Sequence, residues 1–307
     1  MPRDEVRIAA IQMRVSDDLD RNMEHARAMI EEAIADGAQI VVLPEIFRAP
    51  FVSDTSGPDY FRYAEPLDGP SNRMAADISA RHQLTLLTPF FEQTELPGVF
   101  YNSAATWVSG ELRSIYRKTH LPFSNGFPEK FYFRPGDQLP TVVDTGRARV
   151  STIICYERHF PELPRAAALA GAELLMVPVA CASAPTRGNF TIELRAHAIA
   201  NEFFVATANR VGSEGGKEYY GMSGLFAPDG SVVAEAQTTD GEIVIGDVSF
   251  ADVAKRRQVL PFFRDRRPDL YARLAQPQAA SPQRSANALL SEPADIQLRQ
   301  VALETRG

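Results

Sequence analysis

The stretch Val150-Ser151-Thr152-Ile153-Ile154-Cys155-Tyr156-Glu157-Arg158-His159-Phe160-Pro161 passes from a β-branched apolar run to a thiol, and then at once to polar and aromatic side chains. It reads as a buried strand, an elbow at Cys155, and a helix entered at Phe160 or Pro161. Such an elbow holds a nucleophile at the edge of a sheet. Two other patches have the same form: Leu43-Pro44-Glu45 after Ile40-Val41-Val42, and Arg117-Lys118-Thr119-His120-Leu121-Pro122 after Leu112 to Tyr116. Each sets one ionisable side chain at the C-terminal end of a strand, where α/β folds commonly place their chemistry. Singly, such a cysteine reads equally as a small buried hydrophobe, and such a Lys or Glu as a solvated group. Together, a glutamate, a lysine and a cysteine are what amide hydrolysis by a thiol needs.

Outward from these patches, strand-like and helix-like runs alternate. Val6 to Met13 is β-prone; Leu19 to Ala35 carries apolar residues at helical spacing and stops at Gly37; Gln39 to Leu43 is a buried strand. A second unit has Asn72 to Arg81 as helix and Leu84 to Phe91 as strand, and Ser109-Gly110 joins Phe100 to Val108 with Leu112 to Tyr116 as a hairpin. After the cysteine come a helix to about Ala170, the strand Leu174 to Val177, a helix from Phe190 to Asn201 and the strand Phe203 to Ala208. Gly224 to Phe226, Ser231 to Ala236 and Glu242 to Val248 read as antiparallel strands turning at Pro228-Asp229-Gly230. The interleaving predicts an α/β protein with mixed sheets covered by helices.

Composition limits the function. The chain has 307 residues, 45% hydrophobic, and a formal charge of −7, which argues against a basic surface for nucleic acid or anionic membrane and for a small-molecule partner. Two cysteines give neither a disulfide framework nor a metal-ligand cluster, a usage that suits a reducing compartment. The first residues carry no signal-peptide pattern, and no run approaches the ~20 apolar residues needed to span a bilayer, so a cytoplasmic protein is expected. Residues 276–307 open on a breaker-rich segment, Gln276 to Gln283, that cannot build a core alone. The expected division is a catalytic domain over 1–275 and a tail that is either disordered or an oligomer arm; Leu289, Leu290, Ile296, Leu298, Val301 and Leu303 suit the arm.

The three patches resemble the signature motifs of the nitrilase superfamily of carbon-nitrogen hydrolases, and the likeness runs from about Val6 to Leu274. Two further stretches, Gly126 to Asp137 and Ala208-Asn209-Arg210-Val211-Gly212 with Tyr220-Gly221, resemble the branch of β-ureidopropionases, N-carbamoyl amino-acid amidohydrolases and N-carbamoylputrescine amidases. The resemblance implies a four-layer α-β-β-α sandwich of two mixed sheets and a homodimer or higher homo-oligomer. It implies no cofactor.

It also assigns roles. Cys155 is the nucleophile, Glu45 the general base, and Lys118 the oxyanion partner, with the Tyr156 backbone N–H as second donor. Glu129 matches a second family glutamate that positions the lysine; as a solvated residue it would instead pair with Lys130 or Arg134. Arg158 suits the carboxylate of an N-carbamoyl amino acid, because a guanidinium grips carboxylates through two parallel hydrogen bonds. An ion pair with Glu157 or Glu162 is the structural alternative. His120 and His159 either touch substrate or satisfy local hydrogen bonds, and with no third ligand nearby no metal site is expected. Val177-Pro178-Val179-Ala180-Cys181-Ala182-Ser183 departs from the Asn-Pro-Ser pattern common in β-ureidopropionases, and Cys181 reads as packing.

The expected activity is therefore cleavage of the ureido C–N bond of an N-carbamoyl amino acid such as N-carbamoyl-β-alanine, releasing ammonia, carbon dioxide and the amino acid. The alternatives are an N-carbamoylputrescine amidase, an aliphatic amidase or nitrilase, or, in another class, a non-catalytic ligand-binding or assembly protein on the same fold.

Overall fold

The structure is a computed structural model that describes residues 5–51, 57–123, 127–182 and 184–277. The chain divides into two compact units, Met1–Arg264 and Asp265–Gly307. In the second, the described residues form two 3-10 turns, Pro268–Leu270 and Ala272–Ala275. Most of the expected tail, residues 278–307, lies outside the described residues.

Among its described residues the first unit holds fourteen strands: β1 (Val6–Arg14), β2 (Ile40–Val42), β3 (Thr85–Gln93), β4 (Phe100–Val108), β5 (Glu111–Arg117), β6 (Val142–Asp144), β7 (Arg149–Thr152), β8 (Leu174–Pro178), β9 (Phe204–Ala208), β10 (Arg210–Glu214), β11 (Lys217–Tyr220), β12 (Gly224–Phe226), β13 (Val232–Glu235) and β14 (Glu242–Val248). One sheet runs β11-β10-β1-β2-β3-β4-β5, with β14 also paired to β1, and the other runs β13-β12-β9-β8-β7-β6. Both are mixed. β1, β2 and β3 are parallel to one another, as are β7, β8 and β9, while antiparallel strands complete each sheet.

Period-2 alternation builds the layers. In β1, Ile8 and Ala10 join the core shared with Val150, Leu174 and Ala206 of the second sheet, whereas Ala9, Ile11 and Met13 face the opposite way. There they meet Ala26, Ile30 and Ala33 of the helix Leu19–Ala35 and Met74, Ala75 and Ile78 of the helix Pro70–His82. Leu163 and Ala167 of Glu162–Leu169, with Phe190, Leu194 and Ala198 of Phe190–Asn201, pack in the cluster of the second sheet. The order is the expected helix, sheet, sheet, helix.

Several elements escape the sequence reading. β10 and β11 form a hairpin through Gly215 and Gly216, yet Arg210-Val211-Gly212-Ser213-Glu214 shows no apolar alternation because β1 supplies its pairing. β6 is short, and the helix Phe250–Val259 buries only Phe250 and Val253. At the cysteine, β7 stops at Thr152, Cys155–His159 is a 3-10 helix, and the α-helix starts at Glu162 rather than at Phe160 or Pro161.

Candidate active site

The segments that follow β2, β5 and β7 carry the three motif residues, Glu45, Lys118 and Cys155. Leu43 and Pro44 lead from β2 to Glu45, and Ile46 then takes the left-handed conformation, φ +47°. For a β-branched residue that conformation is costly and persists only where the surroundings impose it. Arg210 imposes it: fully buried, its guanidinium donates to the Glu45 carbonyl from Nε at 3.1 Å and Nη2 at 2.8 Å, to the Ala49 carbonyl at 2.9 Å, and to the Ile46 carbonyl. Its charge is matched by Glu214 at 2.6 Å. The sequence reading quoted Arg210 within a family segment but gave it no role.

Lys118 follows β5, and its ammonium, 0% exposed, sits between two carboxylates that are also 0% exposed as residues, Glu45 and Glu129. Its Nζ donates to Glu45 Oε1 at 2.8 Å and to Glu129 Oε1 and Oε2 at 2.9 and 2.8 Å. Burial opposes charge on Lys118, but the two carboxylates outweigh it and hold its pKa above the usual lysine range. Glu129 is pushed up to about 7 by burial, against the pull of Lys118. Asn102 of β4, unnoticed in the sequence, donates from Nδ2 to Glu45 Oε1 at 2.7 Å. Among the described residues Glu45 Oε2 has no hydrogen-bond partner.

Cys155 opens its 3-10 helix at φ +50°, a left-handed elbow that turns the chain sharply off the sheet. Glu157 fastens this elbow to the lysine segment. Oε2 accepts from the Ile154 N–H at 2.7 Å, while Oε1 accepts from the Tyr116 hydroxyl at 2.8 Å, the Thr119 N–H at 2.7 Å and the Thr119 hydroxyl at 2.6 Å. Burial would raise its pKa, but hydrogen bonds from His120, Thr119 and Ile154 keep it below the ordinary value. A glutamate so occupied inside cannot pair with Arg158.

The thiol opens on a cavity of about 140 Å³ whose walls include Glu129, Tyr156, Arg158, His159 and Cys181. Cys181, read from the sequence as packing, is buried in the core cluster, and the loop after β8 also brings its Sγ to 3.6 Å from Cys155 Sγ. Because β7 and β8 are parallel neighbours, the segments that follow them leave the same sheet edge side by side. Asn209 pins the loop, accepting from the Cys181 N–H at 2.9 Å and donating to the Gly221 carbonyl at 2.6 Å.

Arg158 lines the cavity but is engaged internally. Its Nη1 donates to the Cys155 carbonyl at 3.1 Å and lies 3.4 Å from Cys181 Sγ, and its Nε is 3.0 Å from Glu193 Oε2. The ion-pair partner is thus Glu193 on the helix Phe190–Asn201, not Glu157 or Glu162, and no local sequence signal links residues 35 apart. His159 also lines the cavity, with Nδ1 2.9 Å from Glu193 Oε1. His120 is not among the cavity walls; its ring lies tilted against Phe160 with centroids 4.1 Å apart, and its Nδ1 meets the Thr119 hydroxyl at 2.8 Å.

The carbon-nitrogen hydrolase family matches residues 7–258. This chain belongs to that family, within the nitrilase superfamily. It is similar to the N-carbamoylputrescine amidase of Arabidopsis thaliana, 33% identical over 88% of this chain and 95% of the relative. It is also similar to the citrullinase of Francisella tularensis, 31% identical over 87% of this chain and 96% of the relative. A solved variant of the amidase from Nesterenkonia sp. AN1, bearing a covalently added acetamide moiety at its active-site cysteine, has a TM-score of 0.74 and 28% identity, covering 90% of this chain and 98% of that one. The carbon-nitrogen hydrolase described here therefore cleaves C–N bonds of amide or carbamoyl compounds.

Proposed function

We propose that the protein hydrolyses the terminal ureido group of a small N-carbamoyl compound, with N-carbamoylputrescine or a related carbamoyl amine preferred over an N-carbamoyl amino acid. One observation carries the preference: Arg158, the residue suited to a substrate carboxylate, already faces Glu193 at 3.0 Å and donates to the Cys155 carbonyl. A guanidinium whose charge is matched before substrate arrives offers little net attraction to an anion. N-carbamoyl amino acids are the second reading, favoured by the presence of Arg158 in the cavity wall.

In the mechanism, the Cys155 thiolate attacks the ureido carbon, because a covalent intermediate divides a resistant hydrolysis into two easier steps. Glu45 accepts the thiol proton on Oε2, the oxygen not held by Lys118 and Asn102. An ammonium has three donors, and a bifurcated contact to the Glu129 carboxylate leaves one N–H of Lys118 to meet the developing oxyanion. The Tyr156 N–H, in the first turn of the 3-10 helix, has no acceptor within that helix and serves as the second donor. Glu45 returns the proton as the C–N bond breaks and ammonia leaves, which yields a carbamoyl thioester on Cys155. Glu45 then activates water, and the released carbamic acid gives carbon dioxide and the amine. Glu129 holds Lys118 in place throughout.

Ammonia release from N-carbamoylputrescine, citrulline, N-carbamoyl-β-alanine, N-carbamoyl-α-amino acids, simple amides and nitriles tests the assignment. The carbamoyl amine should give the highest kcat/KM. A higher value for N-carbamoyl-β-alanine would establish the second reading, and activity confined to nitriles or simple amides would contradict both.

A further inference from the structure

Cys155 and Cys181 are the only cysteines of the chain, and both border the same cavity at 7% and 5% exposure. The mechanism above uses one of them. The other sulfur lies 3.6 Å from the reacting one, on a loop whose backbone Asn209 holds in place, with the Arg158 guanidinium 3.4 Å away on the far side. A site that needed only bulk at residue 181 would be served by any small apolar side chain; here a second nucleophile stands within a van der Waals contact of the first.

We propose that Cys155 and Cys181 form an oxidant-sensitive pair, which closes to an intramolecular disulfide on exposure to a hydroperoxide and is reopened by a dithiol. Closure requires the sulfurs to approach from 3.6 Å to a bonded distance of about 2.05 Å, a shift of about 1.5 Å. In the first step one thiolate attacks the peroxide: an S–O bond forms, the O–O bond breaks, and hydroxide leaves and is protonated to water. In the second, the neighbouring thiolate attacks that sulfur, the S–S bond forms, the S–O bond breaks, and a second water leaves. Two thiols are oxidised and one peroxide is reduced.

The surroundings suit this order of events. The hydrogen bond from Cys155 and the charge of Arg158 lower the Cys181 pKa to about 6, so the pair holds a thiolate near neutrality. Hydrogen peroxide is little larger than water and enters a cavity of about 140 Å³, where the second sulfur already stands 3.6 Å from the first. Internal closure is thereby favoured over a mixed disulfide. It would silence the enzyme while shielding the nucleophile from the irreversible sulfinic and sulfonic acids.

The inference rests on the proposed nucleophile only for its effect on activity, since the disulfide is read separately. The full chain is treated with hydrogen peroxide, then mapped by non-reducing peptide mass spectrometry and assayed before and after dithiothreitol. The expected product has lost two hydrogens, links the Cys155 and Cys181 peptides, and regains most of its activity on reduction. Cys181→Ser, normalised to its own starting rate, should instead gain oxygen on Cys155 and recover a several-fold smaller fraction. Oxygen gain without the cross-link in the native chain, links only between chains, or equal recovery of the two proteins would overturn the proposal. Should the variant fold poorly, the map of the native chain decides. A cross-link that forms without loss of activity would uphold the pair and reject Cys155 as nucleophile.

Discussion

The two sides of the cavity differ in how their charges are held. On one side Glu45, Lys118, Glu129 and Asn102 form a buried network in which a single ammonium meets two carboxylates within 2.9 Å, and none of these residues exceeds 1% exposure. On the other, the two thiols lie against each other, and Arg158 and His159 share one partly exposed carboxylate, Glu193, whose side chain is 26% exposed. The first side is preorganised and has little freedom to rearrange; the second is softer, and its sulfurs and charges can re-pair. Chemistry common to a family needs the first kind of wall, whereas substrate choice and control can vary on the second.

Deleting the nucleophile should have the largest effect. Cys155→Ala should lower kcat on the order of 10⁶-fold while substrate still binds, since no covalent route remains. Single-turnover ammonia release measures it, and a loss below tenfold would move the reaction away from Cys155. Next in size is the rigid wall itself. Lys118→Ala leaves two carboxylates buried without their cation, so urea unfolding should show a loss of about 3–5 kcal/mol, and turnover should vanish with it. A normal urea midpoint would mean the network tolerates its own vacancy.

Arg158→Ala tests which wall reads the substrate. With the guanidinium committed to Glu193 and the Cys155 carbonyl, kcat/KM should fall by about 2–5 kcal/mol, roughly 30-fold or more, alike for charged and neutral substrates, and the melting temperature should drop. A loss confined to carboxylate-bearing substrates, with stability unchanged, would restore the N-carbamoyl amino-acid reading. The smallest effects concern the thiols. Cys181 has its pKa lowered to about 6 by the hydrogen bond with Cys155, against the opposing effect of burial, with Arg158 and Tyr220 assisting and Glu45 opposing. A lowered thiol pKa means thiolate above that value, so alkylation by iodoacetamide should persist at neutral pH and be lost as pH falls through about 6; a midpoint near the free-thiol value of about 8.5 would contradict it. Cys181→Ala should change kcat/KM by less than about tenfold, or about 1.4 kcal/mol.

Within the rigid wall, Glu45 and Lys118 were legible because each follows a strand, and strand ends follow from apolar runs; Glu129, on the short helix Glu129–Tyr132, came only from the family likeness, and Asn102, inside β4, left no signal. Leu19–Ala35, Phe100–Val108 and Phe190–Asn201 were likewise legible to the residue, since periodicity and Gly37 or Ser109-Gly110 mark their limits. The soft wall was not. Glu193 lies 35 residues from Arg158, on a helix whose polar face looks like any solvated face, and Cys181 meets Cys155 only because β7 and β8 lie side by side. Glu157 and Arg210 were hidden for a related reason: a charge that spends its hydrogen bonds on distant backbone leaves no pattern beside itself. The His120 and His159 readings were left open in the sequence, and their contacts separate them, one packed against Phe160 and the other in the cavity wall.

The central claim is that the rigid wall drives a covalent reaction at Cys155. Rapid acid quench of the enzyme during turnover of a carbamoyl substrate, followed by intact-mass and peptide mass spectrometry, tests it most directly. The account predicts an adduct on the Cys155 peptide equal to the substrate minus ammonia, which disappears once substrate is exhausted. An adduct on Cys181, or turnover with no adduct at Cys155 even when Glu45→Gln slows its release, would contradict it.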